Sequence, residues 1–244
     1  MAMLRATLAV TAVGLALLSG CTGSPSAPPA PAASSPAPSY ADTPATIALV
    51  AAALKTQSGS YHNDVTITSG SDTTLAISAD ISGSAVQLVM NAQEVKTTVR
   101  VVGTDMYVTG LPELNGKWVK EDISKLAGVQ DVLDTFQQNF ALLAGVHDVV
   151  ENPPGTFTGT VDAQAALSKA GTEAAREALS KIISSGSTQI PFSAKVSGGY
   201  LVETAAQYKR EDNGVLGDST VVSKLSNFGK VAAIAAPPPA DVGS

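Results

Sequence analysis

Side chains suited to nucleophilic or acid–base chemistry are few and widely spaced in this 244-residue chain. Cys21 is the single cysteine, and His62 and His147 are the two histidines. The acidic pairs Glu121-Asp122 and Glu211-Asp212 are expected to face solvent in loops rather than to act as the two carboxylates of a glycosidase. No Gly-x-Ser-x-Gly elbow, glycine-rich phosphate loop or zinc-binding spacing occurs. We therefore predict that the chain is not an enzyme and needs no cofactor or metal ion.

The segment before Cys21 has the features of a secretory signal. Residues 1–5 carry the positive charges of Arg5 and the amino terminus, and residues 6–18 are uncharged and apolar apart from two threonines. This run is shorter than the roughly 20 residues of a membrane-spanning helix. A buried N-terminal helix is the alternative, but the segment is apolar all round and stops at Gly20 without an amphipathic continuation. We expect residues 1–20 to be removed after export.

Leu18, Ser19 and Gly20, which precede Cys21, resemble the lipobox of bacterial lipoproteins. The resemblance implies that Cys21 is diacylated, for example with palmitate, that the signal is cut just before it, and that its new amino group is often acylated too. An unpaired thiol is unusual in an oxidising compartment, and a reactive or dimerising thiol is the alternative. Two or three chains on one residue would make detachment from a membrane rare, because a single chain holds only reversibly.

Residues 24–39 contain only Ser, Pro and Ala, which bury too little apolar area to offset chain entropy. Extended at about 3.1 Å per residue, twenty such residues reach roughly 60 Å. The net charge of −6 becomes more negative once Arg5 is removed, which argues against nucleic acid and anionic headgroups as partners. The predicted organisation is a signal over 1–20, an acylated cysteine and tether over 21–41, one domain over 42–237 and a C-terminal tail over 238–244.

The domain begins with a predicted helix over 43–56, capped by Thr43 or Thr46. Its apolar stripe is predicted to consist of Ile47, Val50, Ala51 and Leu54. After Gly59 the hydrophobic period changes to two, which predicts an antiparallel meander. Its strands are predicted over 65–68, 75–81, 86–90, 95–101, 106–109 and 117–120.

Helical spacing returns in the second half of the domain. A central helix is predicted from the stripe Val129, Val132, Leu133, Phe136, Phe140 and Leu143, with His147 capping its end. A short strand over 157–161 precedes a helix over 163–170, which Asp162 caps, and a further helix over 173–183 ends near Gly186. The remaining runs predict strands over 190–196, 200–208 and 218–225, the last continuing to 235. This order predicts an α+β fold with helices on one face of an antiparallel sheet.

Several segments of the domain carry a family likeness. They are Ser219 to Lys230 (STVVSKLSNFGK) with Ala236-Pro237 beyond, Phe157 to Ala163 (FTGTVDA), the strand after Pro191, and Gly116-Lys117-Trp118. Together with the lipobox and the tether, they resemble the LppX/LprA/LprF/LprG family of mycobacterial lipoproteins over nearly the whole chain after the signal. The chain departs from the family pattern at Val231, where proline commonly follows Gly-Lys.

The resemblance implies a curved antiparallel half-barrel sheet with helices packed on its concave face, enclosing an apolar cavity. The expected ligand is an acylated lipid or glycolipid of the phosphatidylinositol mannoside, lipoarabinomannan or triacylglycerol type, transported or assembled in the cell envelope. The protein would be exported and anchored by lipid to the outer face of the cell membrane, facing the periplasm or cell wall. The acylated amino terminus is expected to be recognised by host toll-like receptor 2.

Alternation assigns cavity residues to one face within a strand, but it does not align the faces of neighbouring strands. The candidates on the strands are Leu75, Ile77, Ile81, Val86, Leu88, Met90, Val99 and Val101. Those on the helix side are Leu133, Phe136, Phe140 and Leu143. Two alternatives stay open: these faces pack together as an ordinary core, or the domain is a lipid-tethered interaction or structural module that exposes an apolar patch and has no ligand cavity.

Overall fold

The computed structural model describes residues 42–69, 72–92, 95–121, 140–212 and 215–243, and its main element is one open twelve-stranded sheet. The strands are β1 (Tyr61–Ser69), β2 (Asp72–Ser82), β3 (Ala85–Ala92), β4 (Val95–Val102), β5 (Asp105–Thr109), β6 (Trp118–Glu121), β7 (Val146–Glu151), β8 (Thr156–Asp162), β9 (Gln189–Ser197), β10 (Tyr200–Asp212), β11 (Val215–Ser226) and β12 (Val242–Gly243). Their spatial order is β12-β6-β5-β4-β3-β2-β1-β11-β10-β9-β8-β7. The sheet therefore joins two antiparallel meanders through the antiparallel pair β1–β11.

The predicted meander is confirmed because its alternation matches a sheet with one buried face. On β1, Tyr61, Asn63, Val65 and Ile67 are buried and the residues between them are more exposed. Gly83 and Gly103, each with φ +63°, lie in the two-residue turns of the β2–β3 and β4–β5 hairpins. That left-handed conformation costs glycine little, which explains the turn signals in the sequence.

Three α-helices lie in the described part of the chain: α1 (Pro44–Gln57), α2 (Ala163–Lys169) and α3 (Glu173–Ser184). Each N-terminus is capped by a side-chain oxygen that accepts a backbone N–H bond three residues on. These caps are Thr43 Oγ1 with Thr46 N, Asp162 Oδ1 with Ala165 N, and Thr172 Oγ1 with Ala175 N. Residues 140–142 are helical and lead into a 3₁₀ turn, Leu143–Gly145. Two further 3₁₀ turns span Pro112–Leu114 and Pro239–Asp241.

The prediction of which side of α1 is buried was wrong. The buried residues are Thr46, Leu49, Ala52, Ala53 and Thr56, whereas Ile47 and Leu54 are 58% and 61% exposed. Almost every residue between Ala45 and Ala53 is apolar, so spacing alone does not select a face. Two threonines lie on the buried side because their hydroxyl groups are hydrogen-bonded there.

Three chain segments differ from their sequence-based interpretation. His147 does not cap a helix but lies in β7, a strand that alternation missed because a register shift falls between His147 and Val150. β11 ends at Ser226 rather than continuing to 235, since Asn227 has φ +55° and a turn follows. Val242–Gly243, within the predicted tail, pairs in parallel with β6 and forms one edge of the sheet.

Candidate functional site

The eight cavity candidates on the strands share one face of the sheet. Cα partners on neighbouring antiparallel strands project to the same side. Leu88 on β3 is opposite Ala79 on β2 and Val99 on β4, and Ile77 on β2 is opposite Met90 on β3. Ile77, Ile81, Leu88 and Val99 are buried, and Leu75, Val86, Met90 and Val101 are partly buried against the same core. The register thus supplies the alignment between strands that alternation could not.

The same face continues across the other meander. Ile67 on β1 is opposite Val221 on β11, which is opposite Ala206 on β10, which is opposite Phe192 on β9. Phe192 is in turn opposite Gly159 on β8. A Cβ at Gly159 would come within 2.9 Å of the Phe192 ring and of the His147 carbonyl oxygen, so this position needs glycine. One apolar face, called the inner face below, therefore runs from β5 through β8.

Helix α1 is fixed to this sheet by a hydrogen bond from a sheet backbone group. Thr56 Oγ1 accepts a bond of 2.9 Å from Leu201 N on β10 and donates one of 2.9 Å to Ala52 O in its own helix. The pairing of β10 with β9 shifts register between Leu201 and Glu203, so the threonine bonds an N–H at an irregularity of the ladder. Both residues are about 1% exposed. Burial without such a partner is costly for a backbone N–H, so Thr56 helps to determine the position of Leu201.

A crevice opens on the inner face at the junction of the two meanders. Its lining residues are Asn63 on β1, Phe140, Leu201 and Thr204 on β10, and Ser223 and Leu225 on β11. These side chains pack closely enough to leave no room for a water molecule in this conformation. The Phe140 ring packs edge-on against Tyr61, with centroids 6.0 Å apart. Burial of Tyr61 raises the pKa of its hydroxyl to about 12, so this hydroxyl stays protonated at physiological pH.

Asn63 is the unusual residue of the crevice. Its side chain is buried, with the residue 1% exposed, and its Oδ1 atom accepts no hydrogen bond. Leaving a buried acceptor unpaired costs about 1–3 kcal/mol, so such atoms in native proteins call for a partner. Ser223, also 1% exposed, and Thr204 add two hydroxyl groups to the same lining. The crevice is thus lined both by apolar side chains and by uncharged polar groups.

The predicted site residues divide into three groups. Cys21, its lipobox residues Leu18, Ser19 and Gly20, and the helix residues Leu133 and Phe136 lie outside the described residues. Phe140 lines the crevice, and Leu143 is buried in the core nearby. The eight strand residues lie on the inner face but do not line the crevice.

Sequence reasoning missed Asn63, although the sequence contained a signal for it. Asn63 occupies the inward position between Tyr61 and Val65 in the alternation of β1. A polar residue at an inward position is the pattern that should have marked it. Four of its five neighbours in the crevice come from β10 and β11, about 140 to 160 residues away in the chain, and only the fold brings them together.

A second polar cluster lies on the opposite, outer face of β1 and β2. His62 Nδ1 is 2.7 Å from Asp80 Oδ1, and His62 Nε2 is 3.2 Å from Asp64 Oδ1 and 3.4 Å from Ser78 Oγ. Ser78 Oγ donates a hydrogen bond to Asp64 Oδ1. Partial burial lowers the pKa of His62, but hydrogen bonds and charge from Asp80 and Asp64 outweigh this effect, so the net pKa is raised.

This cluster contains serine, histidine and aspartate, but it lacks the donors that acyl transfer needs. β2 lies between β1 and β3, so its backbone N–H groups are used in the two ladders rather than left to stabilise an oxyanion. The other histidine, His147, is buried between Asp148 Oδ2 at 2.9 Å and Gln189 Oε1 at 3.0 Å. Within residues 42–243, apart from the undescribed gaps, no three His, Cys, Asp or Glu side chains are grouped to hold a metal ion.

No protein-family model matches the chain, and no curated protein is significantly similar to it. The family resemblance drawn from its sequence motifs therefore stays a prediction. None of the described helices combines the length and the apolar character that crossing a membrane requires.

Proposed function

We propose that this protein is an exported lipoprotein that binds acylated lipids between the inner face of its sheet and its helices, and that assists their transport or assembly in a mycobacterial-type envelope. Cys21 carries the acyl anchor, and residues 24–39 are the tether. The observation that carries the proposal is the inner face itself. It is apolar across most of the sheet, yet it opens into a crevice with an unpaired buried acceptor.

Transfer by such a protein needs no energy source. The transfer of a sixteen-carbon chain out of water is favourable by about 13 kcal/mol of free energy, at about 0.8 kcal/mol per methylene. The value is similar whether the chain enters a bilayer or a dry apolar site. Exchange between those two environments is therefore near neutral, and the protein lowers only the aqueous barrier. A tether of roughly 60 Å suits handover close to one membrane.

Binding a whole acyl chain requires the crevice to widen. Sites for small ligands hold roughly 300–1,000 Å³, whereas the crevice in this conformation has no room even for a water molecule. Phe140 borders the crevice and is only partly buried. Its displacement from Tyr61 would open a path along the inner face, and the curved half-barrel with helices on its concave side is the proposed loaded form.

Native mass spectrometry tests this function directly. The chain from residue 22 onward, which contains the whole compact unit Ala37–Ser244, would be purified from a mycobacterial host without added lipid. We expect a co-purifying mass that extracts into chloroform and contains long acyl chains. A bare protein mass, with no uptake of phosphatidylinositol mannoside, lipoarabinomannan or triacylglycerol offered afterwards, would refute the proposal.

A matched pair of variants locates the ligand. Leu225→Trp adds a large ring to the crevice lining, whereas Lys224→Trp adds the same ring at the exposed neighbouring position on β11. We expect Leu225→Trp to lose most bound lipid and Lys224→Trp to retain it. Equal lipid loads in the two variants would place the ligand elsewhere.

The anchor requires a separate test in the full-length chain. We expect wild-type protein to incorporate an alkyne-labelled palmitate and to sediment with membranes, and Cys21→Ser to do neither. Only the wild type should activate cells that carry toll-like receptor 2. Unchanged labelling of Cys21→Ser would refute the proposed anchor, but it would not affect the proposal that the domain binds lipid.

A second candidate function is a tethered module that binds another envelope protein. It is favoured by Ile47 and Leu54, which lie one above the other on α1 and are 58% and 61% exposed. The double variant Ile47→Ser/Leu54→Ser separates the two functions. If lipid carriage is the function, the variant retains both its lipid and its activity in the cell envelope. If the variant has a normal lipid load but has lost that activity, the interaction module is correct.

A further inference from the structure

Resting on the proposed lipid binding, we infer that Asn63 selects lipids that present an uncharged hydroxyl group beside their acyl chains, such as a partly acylated glycerol, over the fully esterified forms. The inference concerns the chemical class of the ligand. It starts from the lining of the crevice, in which Asn63 Oδ1 is buried and accepts no hydrogen bond.

The crevice favours an uncharged polar group. Of the residues that the structure describes, six line it (Asn63, Phe140, Leu201, Thr204, Ser223 and Leu225), and none of these six is ionisable. An ionised phosphate or carboxylate enclosed there would lose its hydration without gaining a counter-charge, which is strongly unfavourable. A charged headgroup must therefore remain outside while the neutral part of the lipid occupies the crevice.

The unpaired Oδ1 atom of Asn63 requires a hydrogen-bond donor from the ligand. An amide oxygen only accepts hydrogen bonds, and a hydroxyl group both donates and accepts. A hydroxyl that donates to Asn63 Oδ1 can accept in turn from a hydroxyl of the lining, such as that of Thr204. An ester group offers acceptors alone, so a fully esterified glycerol leaves Oδ1 unpaired and adds an acceptor beside it.

In this conformation the crevice has no room for a ligand atom, so the hydroxyl group enters only when the crevice widens, as the proposed function requires. The leucine and phenylalanine side chains beside it, Leu201, Leu225 and Phe140, are suited to the first methylenes of the acyl chain.

The experiment is a competition between matched lipids. Equimolar 1,2-dioleoylglycerol and its 3-O-acetyl derivative, in which the third hydroxyl is esterified, compete for the chain from residue 22 onward, and native mass spectrometry gives the ratio of the two complexes. A second pair, methyl 3-hydroxyhexadecanoate and methyl hexadecanoate, distinguishes a hydroxyl on the acyl chain from one on glycerol. One buried hydrogen bond predicts a preference of about tenfold for the hydroxylated member of at least one pair.

Two variants assign that preference to Asn63. Asn63→Leu removes the amide from an apolar face, so it should fold, bind both members of each pair and show a ratio near one. Asn63→Val, which is β-branched and smaller, serves the same purpose if circular dichroism shows that the leucine variant is not folded. The control Thr66→Val lies on the outer face of β1 and should keep the tenfold ratio.

Each result has one meaning. A tenfold ratio that disappears in the Asn63 variants and persists in Thr66→Val supports the inference. A ratio near one in the wild type, or an unchanged ratio in both Asn63 variants, overturns it while lipid binding itself stands. If no lipid of either pair binds to the wild type, the proposed function fails instead.

Discussion

Thr56 provides the most direct test of how α1 positions the crevice. The substitution Thr56→Val replaces the hydroxyl group by a methyl group of nearly the same volume. It removes the 2.9 Å hydrogen bond that Leu201 N donates to Thr56 Oγ1. Because Thr56 and Leu201 are each about 1% exposed, water cannot replace the lost acceptor without a local opening of the structure.

The expected loss follows from leaving one buried backbone N–H unpaired. Such a group costs about 1–3 kcal/mol, and we expect the free energy of unfolding to fall by about 2 kcal/mol. For a domain of this size that corresponds to a fall in melting temperature of roughly 4–8 °C. Since Leu201 lines the crevice, the variant should also bind lipid more weakly.

Urea denaturation followed by circular dichroism measures the loss, and the dependence of the free energy on urea should not change. Thr98→Val on β4 makes the same chemical change on the outer face and should alter stability by less than about 0.5 kcal/mol. A Thr56→Val loss no larger than that of Thr98→Val would refute the reasoning. It would mean that Leu201 N finds another acceptor.

Three further predictions concern the rest of the fold. Gly110→Ala should lower the free energy of unfolding by more than about 2 kcal/mol in urea denaturation. The reason is that a Cβ at φ +92° would overlap the Lys96 carbonyl oxygen. A smaller loss would show that the end of β5 can shift. Asp162→Ala should lower the free energy of unfolding by about 1 kcal/mol or more because α2 loses its N-cap, whereas Asp162→Asn should retain most of the stability. Equal losses in the two variants would exclude capping as the cause. The pKa of His62 is raised, and Asp80 is its nearest partner. The stabilisation of the folded protein by charged His62 is therefore full below about pH 6.5 and is lost as pH rises through the folded-state pKa of His62. The stability difference between wild type and His62→Gln, below about 1 kcal/mol, should therefore shrink between about pH 5.5 and pH 8, and a difference that grows would contradict this sign.

Much of the sheet was predictable because one buried face imposes a period of two. β2 to β5 follow this rule, and the glycine turns between them are visible in the sequence. β7 was not predictable, since Val149 and Val150 are adjacent apolar residues and the register shift interrupts alternation. β12 has two residues, too few for any periodicity.

The burial of α1 was not predictable for a different reason. Its sequence offers apolar residues on every side, so the choice of face depends on the surface to which it binds. The backbone N–H of Leu201 on β10 requires an acceptor, and Thr56 supplies it. That requirement arises 145 residues further along the chain, in a ladder irregularity that local sequence does not show.

The crevice also arises from residues that lie far apart in the chain. Its composition indicates what the inner face does. A protein that needed only a packed core could place leucine at position 63, where the neighbours Leu225 and Ala79 are apolar. It carries instead an amide whose oxygen is buried without a partner, at a cost of about 1–3 kcal/mol. An unpaired buried group in a native protein calls for an explanation, and a role in binding is one. A carrier gains from this arrangement, since the bond missing in the empty protein is formed only when cargo is present. The free energy of that bond then adds to the affinity for the cargo without adding to the stability of the empty form, and this difference allows a mostly apolar site to distinguish one lipid from another.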